Sequence, residues 1–388
     1  MSLSEGVGMQ LQGAVWVPER GTAQAVALEV LRHGPLARSD IARRLGLSPG
    51  SLTRLAAPLI ESGLLVEVGE RAQPGAGRPS RLLDVQAGSR HFVGMKLTAT
   101  EVSGVVTDLR ATVVAEAGIP LDSADPDRVV ARIGELVQRF VATGYEPTML
   151  GIGVGGLVAP GGVVLSAPFL DWEQVPLGPL VERATGVRTI VDNDLVAVTE
   201  CENWFGTASG VDRFAVVTLG AGVGYGLVVH GQIVVNEDSG VGLVGHWPLD
   251  PLGPLCPAGH RGCAHSLLTD TGIVAEVSSA LGRSVTFDEA LDAAEAGDPA
   301  ARRVVTDAGR GLGRLLAAVA NLTVPQLIVI GGEGARLAVV AKAAVTEGFR
   351  ADRDPRAHDV PLTMMPGGGL DWCRGAAVLA IQEFAQGA

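Results

Sequence analysis

The sequence predicts an α/β protein led by a small winged helix-turn-helix module, and three observations carry that reading. Residues 34 to 65, GPLARSDIARRLGLSPGSLTRLAAPLIESGLL, hold two helical apolar stripes around a tight Gly turn. From His91 onward, Val-rich runs broken by Gly turns alternate with helical patterns, the order expected of strands feeding helices feeding strands. Charge is also divided. The 388 residues sum to −12, yet residues 21 to 85 hold eight Arg against six Asp and Glu, a net of +2. An acidic remainder repels DNA and limits nonspecific binding, so phosphate affinity has to come from the first module.

Residues 1 to 20 show no periodicity and read as a disordered start. A DNA-binding domain of residues 21 to 86 follows. Thr22 to Arg32 forms its first helix; Ile41, Ala42 and Leu45 stripe a short second one, stopped by Gly46, with Leu47 as the apolar plug of the turn. Ser48 caps the next helix, and Pro49 suits its first position, whose amide has no partner in any case. Leu52, Leu55, Ala56, Leu59 and Ile60 carry it to Gly63. Leu64 to Val68 and Arg81 to Val85 read as the strands of a wing joined by a Gly-rich loop.

A helix held this way can lie in the DNA major groove with its N-terminal residues at the base edges. Ser48, Gly50, Ser51, Thr53 and Arg54 are the groove candidates, and Arg38 joins them from the start of the preceding helix. Arg78, between Gly and Pro on the wing loop, suits a narrow minor groove. Two residues fit poorly. Ala37 stands where a capping Ser or Thr is expected, and Pro58 lies inside the recognition helix.

In the body, strands are expected over FVGMKLTATEVSGVVTDL and ATVVAEAGIPL, then a helix from Pro126 to Thr143. MLGIGVGGLVAPGGVVLSAPFLDW is again strand, turn and strand, followed by a helix at Leu177 to Thr185 and a strand at Val187 to Val191. A second series begins at Phe214, passes a Cys and His segment, and continues in helices from Ser266 to Leu322. LIVIGG is its last clear strand, and Cys373 to Phe384 forms a closing helix.

The order of motifs is distinctive: GRP after the helix-turn-helix, GIGVGG with SAPFLDW, VDND, LGAGVGYG, a Gly-His pair with Cys and GC, then VIGG. Over residues 22 to 384 it resembles the ROK family (repressor, open reading frame, kinase). The resemblance implies a two-lobed, actin-like (RNase H-like) sugar kinase fold behind the winged helix-turn-helix. Residues 90 to 196 with the closing helix, 373 to 386, would form the first lobe and residues 197 to 372 the second.

On that resemblance, Asp194 in VDND matches the catalytic base of the family's kinases and Asn193 a sugar-hydroxyl contact. A kinase also needs donors and a metal-side carboxylate around the triphosphate. Family kinases end a first strand in Asp, followed by two Gly and a Thr; here Lys96, Thr98, Ala99 and Thr100 stand in those places, so phosphoryl transfer is not expected. Phe169, Leu243 and His265 replace three polar pocket residues, while Asn193, Asp194 and His246 remain. Asn193, Asp194, His246 and His265 are therefore the candidate ligand residues, for a less hydroxylated ligand or in a pocket no longer used.

The family also holds a structural zinc with the His of the Gly-His pair and three Cys. His246, Cys256 and Cys263 match, Ala258 replaces the middle Cys, and His260 or His265 lies near enough to complete four ligands. Four Cys are too few and too spread for a disulfide scaffold, and neither a membrane-spanning run nor a secretion pattern is present, so a cytoplasmic protein is expected. The reading is a non-enzymatic regulator, a repressor first, that binds a double-stranded operator as a homodimer or homotetramer and senses a carbohydrate. A sugar kinase with an accessory DNA-binding domain and an effector-independent regulator with a vestigial pocket are the alternatives.

Overall fold

The computed structural model describes residues 21–71, 80–366 and 369–386. Residues 1 to 20, expected to be disordered, and the wing-loop Arg78 lie outside the described residues. The chain divides into two units, Met1–Ser89 with Gln382–Ala388, and Arg90–Ile381.

In the first unit, α1 (Thr22–His33), α2 (Arg38–Arg44) and α3 (Pro49–Glu61) accompany a sheet of β1 (Leu36–Ala37), β2 (Leu65–Arg71) and β3 (Ser80–Val85). β3 lies in the middle and pairs antiparallel with both neighbours. Val26, Val30, Ile41, Leu52, Leu59, Leu65 and Leu83 are buried and form the core. Ser48 caps α3, its hydroxyl accepting from the Ser51 amide, with Pro49 in the first position. β1 was not legible in the sequence, and it explains Ala37: the residue pairs with Leu82 and is buried, so a small apolar side chain suits it better than a capping hydroxyl. Pro58 lies within α3 on its exposed side, and the helix runs on to Glu61. Gln24 donates to the Ala385 carbonyl at 3.0 Å, within this unit.

The second unit contains two five-stranded sheets built in the same order. In the first, β4 (His91–Leu97), β5 (Glu101–Thr107) and β6 (Val113–Pro120) form an antiparallel meander. α4 (Pro126–Ala142) then returns the chain to β7 (Pro147–Val154), parallel to β4. A small sheet of β8 (Leu157–Ala159), β9 (Val163–Ala167) and β10 (Trp172–Val175) and helix α5 (Leu177–Thr185) precede β11 (Thr189–Asn193), parallel to β7, and α6 (Asp194–Trp204). β11 starts two residues later than expected and also ends two residues later, because Asp192 and Asn193 extend its pairing opposite Gly153 and Val154.

The second sheet repeats the plan with β12 (Arg213–Leu219), β13 (Val223–Val229) and β14 (Gln232–Ile233). The Cys and His segment and helices α7 (Ala264–Leu268), α8 (Asp270–Leu281), α9 (Phe287–Glu295) and α10 (Pro299–Thr323) lead to β15 (Leu327–Gly331), parallel to β12. α11 (Arg336–Val340) and α12 (Lys342–Ala351) lead to β16 (Leu362–Met364), then α13 (Leu370–Gln386). LIVIGG is thus followed by one more strand, three residues long and on the sheet edge.

Glycines bring α13 down onto the first sheet. Gly94 and Gly151 are cross-strand partners on β4 and β7, and a methyl on either would collide with the backbone of Cys373, Ala376 or Ala377. Gly375 meets the α6 backbone at Ala197 and Val198 in the same way. Among the described residues no helix is long and apolar enough to cross a membrane.

Candidate functional site

The start of α3 presents Ser48, Gly50, Thr53 and Arg54 to solvent, with Ser51 half-buried. Ser48 and Ser51 bond each other at 2.9 Å, and Thr53 donates to the Pro49 carbonyl at 3.0 Å, so part of their hydrogen-bonding capacity serves the helix. Arg54 has no ion pair among the described residues. Its neighbours are all paired: Arg38 and Arg81 with Glu67, Arg43 with Asp40, Arg44 with Glu29. The bonds from Arg81 first and Arg38 second hold the Glu67 carboxyl below its ordinary range.

The cleft candidates gather where β4, β7 and β11 end. Lys96, next to last on β4, forms an ion pair with Asp194, the first residue of α6. Each side chain is only 15% exposed, and the ammonium also lies 5.1 Å from the centre of the Trp372 ring. Far apart in sequence, the two positions are brought into contact by the fold. One Asp194 oxygen faces the Lys96 cation and the other accepts from the Leu195 amide.

Asn193 is buried, and its side chain is committed to the fold. Its carbonyl oxygen accepts from the Leu195 and Val196 amides, and its amide donates to the Gly156 carbonyl at 2.9 Å. These bonds cap α6 and hold the turn after β7, so the side chain expected as a sugar contact also has a structural task. Desolvation raises the carboxyl of neighbouring Asp192, against a lowering bond from the Asn193 amide. Phe169 is 61% exposed and, like Asp194, lies against Gly155. The turn between β4 and β5 offers little to a phosphate: Thr98 accepts from the Thr100 and Glu101 amides at 3.3 and 3.1 Å.

Across the second sheet, two carboxylates line the Gly turns. Glu333 lies against Gly220 and Asp270 against Gly334, close enough that an added methyl would meet them at 2.7 and 2.6 Å. Burial, then the charges of Glu333 and Asp288, push Asp270 up to about 6. The Gly pattern was legible in the sequence; this pair was not, because no local motif joins residues 63 apart. Carboxylates at such turns repel a triphosphate.

The Cys and His segment closes on itself. His246 Nδ1 lies 3.7 Å from Cys256 Sγ and from Cys263 Sγ, and His260 Nδ1 lies 3.6 Å from Cys256 Sγ. Donor atoms of His246, Cys256 and His260 all lie within 4.8 Å of one another. A tetrahedral zinc with bonds of about 2.3 Å to sulfur and 2.0 Å to nitrogen has S to N edges near 3.5 Å, so these residues fit a metal. Of the two histidines left open by the sequence, His260 joins the group. His265 is half-buried, its ring 5.8 Å from that of His246 and its amide bonded to the Gly245 carbonyl. Desolvation and the neighbouring His260 and His265 lower His246. Burial acts to raise Cys256, but bonds from His260, Ala258 and Cys263 prevail and bring it to about 7. Both effects favour the forms that bind metal.

Comparison with known proteins agrees with this architecture. The DNA-binding transcriptional repressor Mlc of Escherichia coli K12 is 28% identical over 348 residues, covering 86% of each chain. A crystal structure of a ROK family transcriptional regulator, a homolog of E. coli MLC, superposes with a TM-score of 0.80 at 27% identity, covering 94% of this chain and 96% of that one. The ROK hexokinase of Thermus thermophilus superposes at 0.63 and 26% identity over 76% of this chain and 98% of its own, so the two-lobed α/β body is shared with enzymes. The ROK family model matches residues 92–364, and the chain belongs to the ROK family.

Proposed function

We propose that this chain is a DNA-binding transcriptional repressor whose ROK body binds a sugar or sugar derivative without phosphorylating it. The Lys96–Asp194 ion pair carries this reading: it neutralises the residue a kinase would need as base and removes the carboxylate that would hold magnesium. The acidic turns at Asp270 and Glu333 and the occupied amides at Thr98 support it. The likeness to Mlc across both units supports DNA binding, with Arg54 and the start of α3 as the reading head. A hexokinase-like body supports a carbohydrate ligand, held through Asn193, Asp194, His246 and His265.

Zinc held by His246, Cys256, His260 and Cys263 would act structurally, tying the loop between β14 and α7. The protein would work in the cytoplasm as a homodimer or homotetramer. The commitment of Asn193 to backbone groups favours one second reading, in which the pocket is empty of ligand and the regulator needs no effector. Mapping of bound DNA in the cell, followed by titration of sugars into the protein–operator complex, separates them. Release by a sugar that fails in Asp194→Ala supports the sensor; sugar-dependent ATP consumption at an ordinary enzymatic rate overturns it.

A further inference from the structure

We propose that Glu67 is a positioning residue for DNA binding, holding Arg38 and Arg81 on its two carboxylate oxygens so that both guanidinium groups meet the phosphate backbone beside the recognition helix. The inference rests on the DNA-binding reading above. Arg38 Nη2 reaches Glu67 Oε1 at 2.9 Å, and Arg81 Nη1 reaches Oε2 at 2.7 Å. The three residues come from α2, β2 and β3, so the fork joins the helix before the recognition helix to both strands of the wing.

In a helix-turn-helix the first helix crosses the DNA backbone, which is where Arg38 stands. Each guanidinium has five N–H donors, of which the bond to Glu67 engages one, and a phosphate can be met by exchange or by sharing of the rest. The trio keeps a net charge of +1. Half-exposed ion pairs add little to stability, so two arginines on one acid are poorly explained as a structural brace. Their effect on binding is larger, because the rotamer freedom of two long side chains is already lost before DNA arrives. Arg54, without an ion pair among the described residues, and the held pair at Glu67 thus do different work: the first reads, the second registers.

The sign of one substitution tests this. Glu67→Gln removes a negative charge near DNA; were Glu67 only repulsive, operator affinity would rise and the salt dependence would steepen. Positioning requires the reverse: the full-length protein, titrated with an operator duplex from the mapping experiment, loses affinity roughly tenfold, and the slope of log K against log salt flattens by about 1.8, the equivalent of two phosphate contacts. The thermal midpoint stays at the wild-type value. In an Arg38→Ala/Arg81→Ala background, Glu67→Gln then changes nothing further. Unchanged or increased affinity of Glu67→Gln overturns the assignment while leaving DNA binding intact, whereas a wild-type chain that binds no duplex removes both. If Glu67→Gln unfolds the module, Arg38→Lys with Arg81→Lys keeps both charges and loses the fork: weakened binding supports the assignment, and wild-type binding overturns it.

Discussion

At the scale of single residues, the chain separates groups that are spoken for from groups that are free. Arg54 is exposed on α3 and without an ion pair among the described residues, so Arg54→Ala is expected to weaken operator binding by about 1 to 3 kcal/mol, the usual cost of losing a specific Arg contact. A titration against operator and scrambled duplexes checks it, since the loss should be larger on the operator. Asp270 makes an opposite kind of prediction. Its carboxyl titrates at about 6 in the folded chain against an ordinary 3.8, so the fold favours the protonated form. Its stabilising contribution is therefore fully present below 3.8 and is lost as pH rises through about 6. Asp270→Asn should raise the melting temperature above pH 7 and lose that advantage toward pH 4. Chemistry of this kind was only half legible in the sequence. Lys96 and Asp194 were each visible as departures or matches, but 98 positions separate them, and only the pairing of β4, β7 and β11 makes them one ion pair.

Elements follow a similar division. The helices of the first unit were legible because caps, turns and apolar spacing are local rules: Ser48, Pro49, Gly46 and Gly63 do in the fold what their residue types suggest. β1 and β16 were not, since strands of two and three residues have no periodicity to read and exist only through their partners. The identity of the fourth metal-site residue was equally nonlocal at close range, because the tight turn at Gly259 brings His260 back toward Cys256 while His265 starts a helix. Stoichiometric zinc is expected in protein purified under metal-replete conditions, about one per chain, and chelation should lower the thermal midpoint. Elemental analysis and a melting curve with and without chelator measure both. The seat of α13 is as exacting. Gly151→Ala should destabilise the body by about 1 to 3 kcal/mol, because the new methyl has only helix backbone to displace, and denaturant unfolding reads the difference.

For the whole molecule, a repressor that places two recognition helices on DNA is expected to protect a twofold-repeated site with half-sites about one helical turn apart or a multiple of it. Footprinting tests this, and a single unrepeated half-site would count against a symmetric assembly. The Gly94 and Gly151 seam under α13 has a further consequence, in the order in which the protein is made. β4 and β7 leave the ribosome more than 200 residues before the helix that covers them. At roughly 5 to 20 residues per second, that interval is on the order of ten to forty seconds. Throughout it the seam at Gly94 and Gly151 lacks its α13 cover, and the arrival of α13 completes a layer that α6 began. A truncated chain lacking α13 would leave that seam uncovered and is expected to associate with other chains, which sedimentation of the truncated protein would measure.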